Sequence, residues 1–192
     1  MLSTPILVVL FWAVVMIAYG SFRAPLPIAY RVQASILTLF LVYNGARTLD
    51  VLLWGVFNPH AFVIFYQKSS VFFSSQVAVA IATVSLLAGP VTIFIGFWIA
   101  QRKLKGFNWA VRCAPFLLAL TLLNVTRIIG AESFRNHAWD AQKTSFVSVF
   151  SIVSYTVFYF WLSRFAKSPK NRQFIIQASQ LTEESAAKDV TP

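Results

Sequence analysis

Apolar residues run along this chain in long blocks, separated by short stretches rich in arginine, lysine, asparagine and proline. A bilayer core of ~30 Å needs about 20 apolar helical residues to cross it, and the blocks meet that length. They predict about five transmembrane helices, over residues of roughly 3–20, 32–57, 71–100, 109–131 and 145–165. The residues from about 1 to 165 then form one polytopic helical domain, and 166–192 a polar, partly disordered tail. The expected fold class is an all-α integral membrane protein.

Several punctuation marks support these boundaries. Asn58-Pro59 ends the second span, because a residue before proline is pushed out of the helical region. Gly89-Pro90 falls in the middle of the third. A kink in one long helix is expected there, with a pair of short helices as the alternative. Small and hydroxyl residues on that span, from Ser74 and Ala78 to Ser85 and Gly89, suit close helix contact and a central position. Tyr155, Phe158, Tyr159, Phe160 and Trp161 read as an interfacial aromatic belt near the end of the fifth.

Composition agrees with the blocks. Apolar residues make up 58% of the 192, charged ones only 11%, whereas a soluble domain carries about 25% charged residues. The single cysteine, Cys113, excludes a disulfide framework and a cysteine zinc site. It reads as a packing residue, with juxtamembrane palmitoylation as the weaker option. No cofactor motif occurs, and no metal site is assigned.

The net charge of +10 does not point to nucleic acid, because the basic residues lie between and beside the apolar blocks. Arg23 and Arg31, then Arg102, Lys103, Lys105 and Arg112, then Arg164, Lys167, Lys170 and Arg172 all fall on one side of a five-span bundle. The other side carries only Lys68, Arg135 and Lys143. The positive-inside rule therefore places the N-terminus outside or in a lumen, and the C-terminus in the cytoplasm. The first block lacks a positive charge ahead of its apolar core, which favours an uncleaved helix over a signal peptide.

One polar pattern occurs twice. Asn44-Gly-Ala-Arg47, Asn58-Pro-His60 and Gln67-Lys68-Ser69-Ser70 are matched by Asn124-Val-Thr-Arg127, Asn136-His137 and Gln142-Lys143-Thr144-Ser145. Both copies start in an outward-running span, so spans 2–3 and 4–5 read as two parallel-related hairpins with the first helix added: an internal repeat. Asn44, Arg47 and Asp50 share a helix face, and Arg47 lies about 15 Å below the outer end of its span. An arginine at that depth needs a partner or a polar cavity. Three readings stay open: structural pairs among Arg47, Asp50, Arg127 and Glu132; an outward polar cavity that binds an anion; and snorkelling, which suits Arg127 best.

His60 and His137 read as loop anchors beside Phe62 and Trp139, or as acid, base or metal ligands with Asp140 or Glu132. Asn124-Val-Thr126 matches the glycosylation pattern but falls inside a span, so it is expected to be unmodified. Asn124-Val-Thr-Arg127 with His137 resembles the Asn-x-x-Arg and histidine of exosortase and archaeosortase membrane transpeptidases over that stretch alone. Their Cys-Ser-Gly-type nucleophile segment is missing upstream, so no role is carried over. Arg127 to Glu132 and His137 to Asp140 resemble, in kind only, the outer segments of the seven-helix lipid-translocating exporter family.

The expected function is a membrane protein that binds or moves a small amphiphilic or anionic molecule, with Asn44, Arg47, Asp50, Asn124, Arg127 and Glu132 as the site. The alternatives are an intramembrane enzyme on a lipid-like substrate and an assembly subunit among membrane protein partners. Its surroundings in every case are the lipid bilayer. The orientation is tested directly: tags at the two termini should be accessible from opposite sides of sealed vesicles, and both on one side would overturn the five-span topology.

Overall fold

The computed structural model describes residues 4–23, 26–67, 73–129 and 138–177, with side chains over 7–18, 26–61, 63–64, 73–126 and 149–177. Seven helices lie among the described residues: α1 (Thr4–Arg23), α2 (Ile28–Phe57), α3 (Pro59–Gln67), α4 (Ser75–Ala100), α5 (Leu104–Ile129), α6 (Ala138–Lys167) and α7 (169–177). Four of them are long and apolar enough over their described side chains to cross a membrane: α2, α4, α5 and α6. In α1 the described side chains, Leu7–Ala18, are apolar throughout. Large apolar side chains face outward all along the bundle, among them Phe57 at 79%, Ile28 at 70% and Phe160 at 68% exposure. A surface of that kind needs hydrocarbon around it. This is an all-helical membrane protein.

The boundaries depart from the sequence expectation in an informative way. Asn58 does close α2, with φ −132° and its backbone N–H on the Trp54 carbonyl. However, Pro59 also opens α3, where the connection reads in sequence as a loop. Proline lacks the N–H that a first-turn residue would leave unpaired, so one residue can stop one helix and start the next. α4 is unbroken through Pro90; neighbouring helices let membrane helices tolerate the lost bond. It starts behind Ser74, whose hydroxyl accepts from the Val77 N–H at 3.5 Å.

The basic connection shrinks to a turn, because α5 begins at Leu104, earlier than its apolar block suggests. Arg102 closes that turn in the left-handed region with φ 58°. Its N–H bonds the Ile99 carbonyl at 3.0 Å and the Lys103 N–H bonds Trp98 at 2.9 Å. That is a Schellman ending, made without the usual glycine. α6 likewise begins well ahead of its apolar block and runs past it to Lys167.

The most extensive packing joins α2 to α4, then α5 to α6 and α4 to α5, while α1 leans on α2 and α4. α4 is thus the shared neighbour. Its contact with α2 is set by two glycines and two threonines. Thr48 donates to its own Gly45 carbonyl at 2.8 Å while lying where a Cβ on Gly89 would go. Thr92 donates to its own Gly89 carbonyl at 2.7 Å while lying where a Cβ on Gly45 would go. Each Gly-x-x-Thr pair therefore seats the other, and neither threonine hydroxyl is left without an acceptor. Closer to the α4 C-terminus, Thr38 donates across the interface to the Gly96 carbonyl at 3.3 Å.

Below this crossing a larger core gathers Leu37, Leu41, Ile95, Ile99, Phe107, Leu162 and Phe165 from α2, α4, α5 and α6. α7 folds back onto it. Asn171 Nδ2 donates to the Phe165 carbonyl at 3.0 Å and Arg172 Nε to Ala166 at 2.9 Å. These bonds occupy carbonyls that the end of α6 would otherwise leave open. Ile175 is 3% exposed, and the Tyr30 ring sits between Phe165 and Phe174, 5.5 and 6.0 Å away. The segment after α6 is therefore helical and packed over residues 169–177, and 178–192 lie outside the described residues.

The crossing makes a direct prediction. A methyl group at Gly45 would stand 2.6 Å from the Gly89 carbonyl oxygen and 2.6 Å from Ile93 Cγ1. Alanine is the better helix former by about 1 kcal/mol, yet Gly45→Ala should destabilise the protein by about 1–3 kcal/mol through overpacking. Denaturant unfolding in detergent reads this, and a variant as stable as wild type would contradict the close crossing.

Candidate functional site

The face of α2 turned away from Gly45 and Thr48 carries Phe40, Asn44 and Arg47, spaced so that they form one stripe. Asn44 is half-buried there. Its Nδ2 donates to the Phe40 carbonyl at 2.8 Å, and this local bond holds the amide in one orientation. The amide oxygen then accepts the Tyr155 hydroxyl of α6, also at 2.8 Å. In a medium without water such a bond has no competitor, so it ties α2 to α6. Phe40 forms the floor beside it, stacked on Phe158 at 3.8 Å and edge-on to Tyr155 at 5.8 Å.

Arg47 lies next to this pair. Its side chain is exposed, and its charge reaches the Tyr155 hydroxyl, near which the Tyr43 phenol also lies. Asp50 follows one turn later and is half-buried. Among the described residues no ion pair joins Arg47 to Asp50. Arg47 stands ten residues before the end of α2 at Phe57, or about 15 Å along the axis. The arrangement presents a guanidinium and two phenol groups over an aromatic floor. Chemically it can receive an anion or a hydrogen-bond acceptor that carries apolar substituents.

The other residues singled out from the sequence are dispersed. Asn124 is half-buried on α5 and has a partner of its own. Arg127 belongs to α5 and Asp140 to α6, but both side chains lie outside the described residues, as do Glu132 and His137 altogether. His60 is exposed in the first turn of α3. Among the described residues no three histidine, cysteine, aspartate or glutamate side chains come together as a metal site. Cys113 is half-buried and packs against the main core.

Tyr155 is the member whose bond to Asn44 sequence reasoning missed, having placed it only in an interfacial belt. A signal for an inner position was present: it stands twelve residues before Lys167, the end of α6, about 18 Å along a helix. Phe40 carried no such signal, since one more phenylalanine in an apolar block is unremarkable. No protein-family model, no curated protein and no solved structure matches the chain.

The Asn44–Tyr155 bond has a measurable signature. Tyr155→Phe and Asn44→Leu should each lower stability by about 1 kcal/mol, and the double variant by little more than either. A double-mutant cycle in detergent checks this; strictly additive losses would mean that the two groups do not interact.

Proposed function

We propose that this protein binds or translocates a small amphiphile with an anionic head, received at the α2–α6 junction in the outer half of the bundle. The reading rests on one observation: Arg47 is exposed on a helix apolar enough to span a membrane, well inside its end, beside the Asn44–Tyr155 pair. An arginine facing hydrocarbon at that depth costs several kcal/mol. A bound carboxylate or phosphate offsets that cost through charge-assisted hydrogen bonds, and Tyr43 supplies a further donor. The tail of the ligand lies along apolar side chains that already face outward, such as Ile36 and Leu39.

The frame we propose is multi-pass, with α1 as a fifth span, the N-terminus outside and the C-terminus in the cytoplasm. In that frame Asn44 and Arg47 belong to the first of two parallel-related hairpins, α2 with α4, and Asn124 and Arg127 to the second, α5 with α6. The preferential packing of α2 on α4 and of α5 on α6 supports that pairing. The sequence repeat then makes Arg127 of α5 the counterpart of Arg47.

A photoreactive fatty acid carrying a diazirine and an alkyne tests the site in cell membranes. Wild-type protein should be labelled on α2 or α6, and Arg47→Ala should fold normally yet lose about nine-tenths of the labelling, a change of about 1.4 kcal/mol in binding. Undiminished labelling in Arg47→Ala, or labelling confined to other helices, would sink the proposal.

A further inference from the structure

At the opposite end of the bundle from Arg47, the start of α2 meets the end of α4 around a recess of about 20 Å³ lined by Tyr30, Arg31, Ser35, Thr38 and Arg102. Its volume admits one water-sized group. Tyr30 is 4% exposed, and its hydroxyl has no hydrogen-bond partner among the described residues. A buried hydroxyl left in that state is costly, and native structures rarely tolerate one without a reason. The other hydroxyls of the recess already have acceptors: Ser35 donates to the Arg31 carbonyl at 2.7 Å and Thr38 to the Gly96 carbonyl at 3.3 Å. Of these hydroxyls, Tyr30 alone lacks an acceptor.

The charges around it are equally one-sided. Arg31 and Arg102 are both half-buried on the rim. Burial lowers the pKa of Arg102, the Tyr30 hydroxyl opposes that shift, and the nearby Arg31 charge adds to it. The one acidic side chain among the described residues is Asp50, twenty residues further along α2, or about 30 Å away. Arg102 also occupies the left-handed backbone region at φ 58°, where an L-residue carries strain that glycine would not, and such strain gathers at functional positions. Lys103, Lys105, Lys167, Lys170 and Arg172 surround the same end of the bundle.

We propose that this recess is a phosphate-binding site. One phosphate oxygen enters and accepts the Tyr30 hydroxyl, while the remaining oxygens are held at the rim by the Arg31 and Arg102 guanidinium groups. Three donor groups around one small, half-open recess suit a tetrahedral acceptor better than a planar carboxylate. The phosphate comes either from the headgroup of an anionic phospholipid in the adjoining leaflet or from free phosphate. The site is separate from the one built on Arg47 and does not depend on it.

Full-length protein purified in phosphate-free detergent provides the test. Native mass spectrometry from mixed micelles of phosphatidylcholine and phosphatidic acid should retain phosphatidic acid on the wild type. Arg102→Gly keeps the turn and relieves its backbone, so it should fold at least as well while binding phosphatidic acid about tenfold more weakly. Tyr30→Phe removes only the hydroxyl and should weaken binding by about fivefold, whereas the outlying Lys170→Gln should change it by less than about twofold. Competition by inorganic phosphate would identify free phosphate as a sufficient ligand; retention of the lipid despite excess inorganic phosphate would identify the headgroup as the source. The proposal is overturned if neither probe binds, if Arg102→Gly and Tyr30→Phe bind as wild type does, or if Lys170→Gln loses as much as they do.

Discussion

The rest of this bundle depends on how closely α2 and α4 approach. Between helices in lipid there is no hydrophobic drive to associate, since the tails outside are as apolar as the side chains inside. Association must come from van der Waals contact and hydrogen bonds, both of which need short distances. Gly45 and Gly89 permit that distance, and Thr48 and Thr92 fill the space that the absent side chains leave. Each threonine hydroxyl is satisfied within its own helix, so the contact is both close and free of unpaired polar groups. With that crossing in place, α4 can serve α1, α2, α3 and α5 together.

The crossing also decides where the polar residues go. Gly45 and Thr48 face α4, so their neighbours Asn44 and Arg47 are turned about the helix axis toward α6, where Tyr155 is waiting. At the other end, the same pair of helices brings the start of α2 against the end of α4, which places Arg31, Tyr30 and Arg102 around one recess. Two polar sites of different character thus arise from one interface. The first is an arginine beside a completed hydrogen bond, and the second is two arginines beside a hydroxyl still lacking an acceptor.

Much of the fold was legible because the bilayer imposes a length rule on the chain. The apolar blocks around Leu41, Ile93, Leu117 and Phe158 each match a helix long enough to cross. Boundaries were less legible, since apolar content marks where lipid contact begins, and a helix extends beyond that wherever its backbone bonds continue. So α5 starts at Leu104 and α6 at Ala138, both outside their apolar blocks, and α3 follows directly on Pro59. The candidate site was half legible. Arg47 announced itself by depth, but its neighbour Tyr155 is 108 residues away in sequence, and no local pattern pairs them.

By itself, then, the sequence determined that this is a helical membrane protein, where its main spans lie and how its basic residues are distributed. Those properties follow from residue type and order alone, through the cost of placing backbone and charge in hydrocarbon. Tertiary structure decided which glycine meets which threonine, that Asn44 pairs with Tyr155, and that the Tyr30 hydroxyl is enclosed without an acceptor. Those depend on rotation about helix axes and on sub-ångström fit between distant segments, and hydropathy carries no information about either.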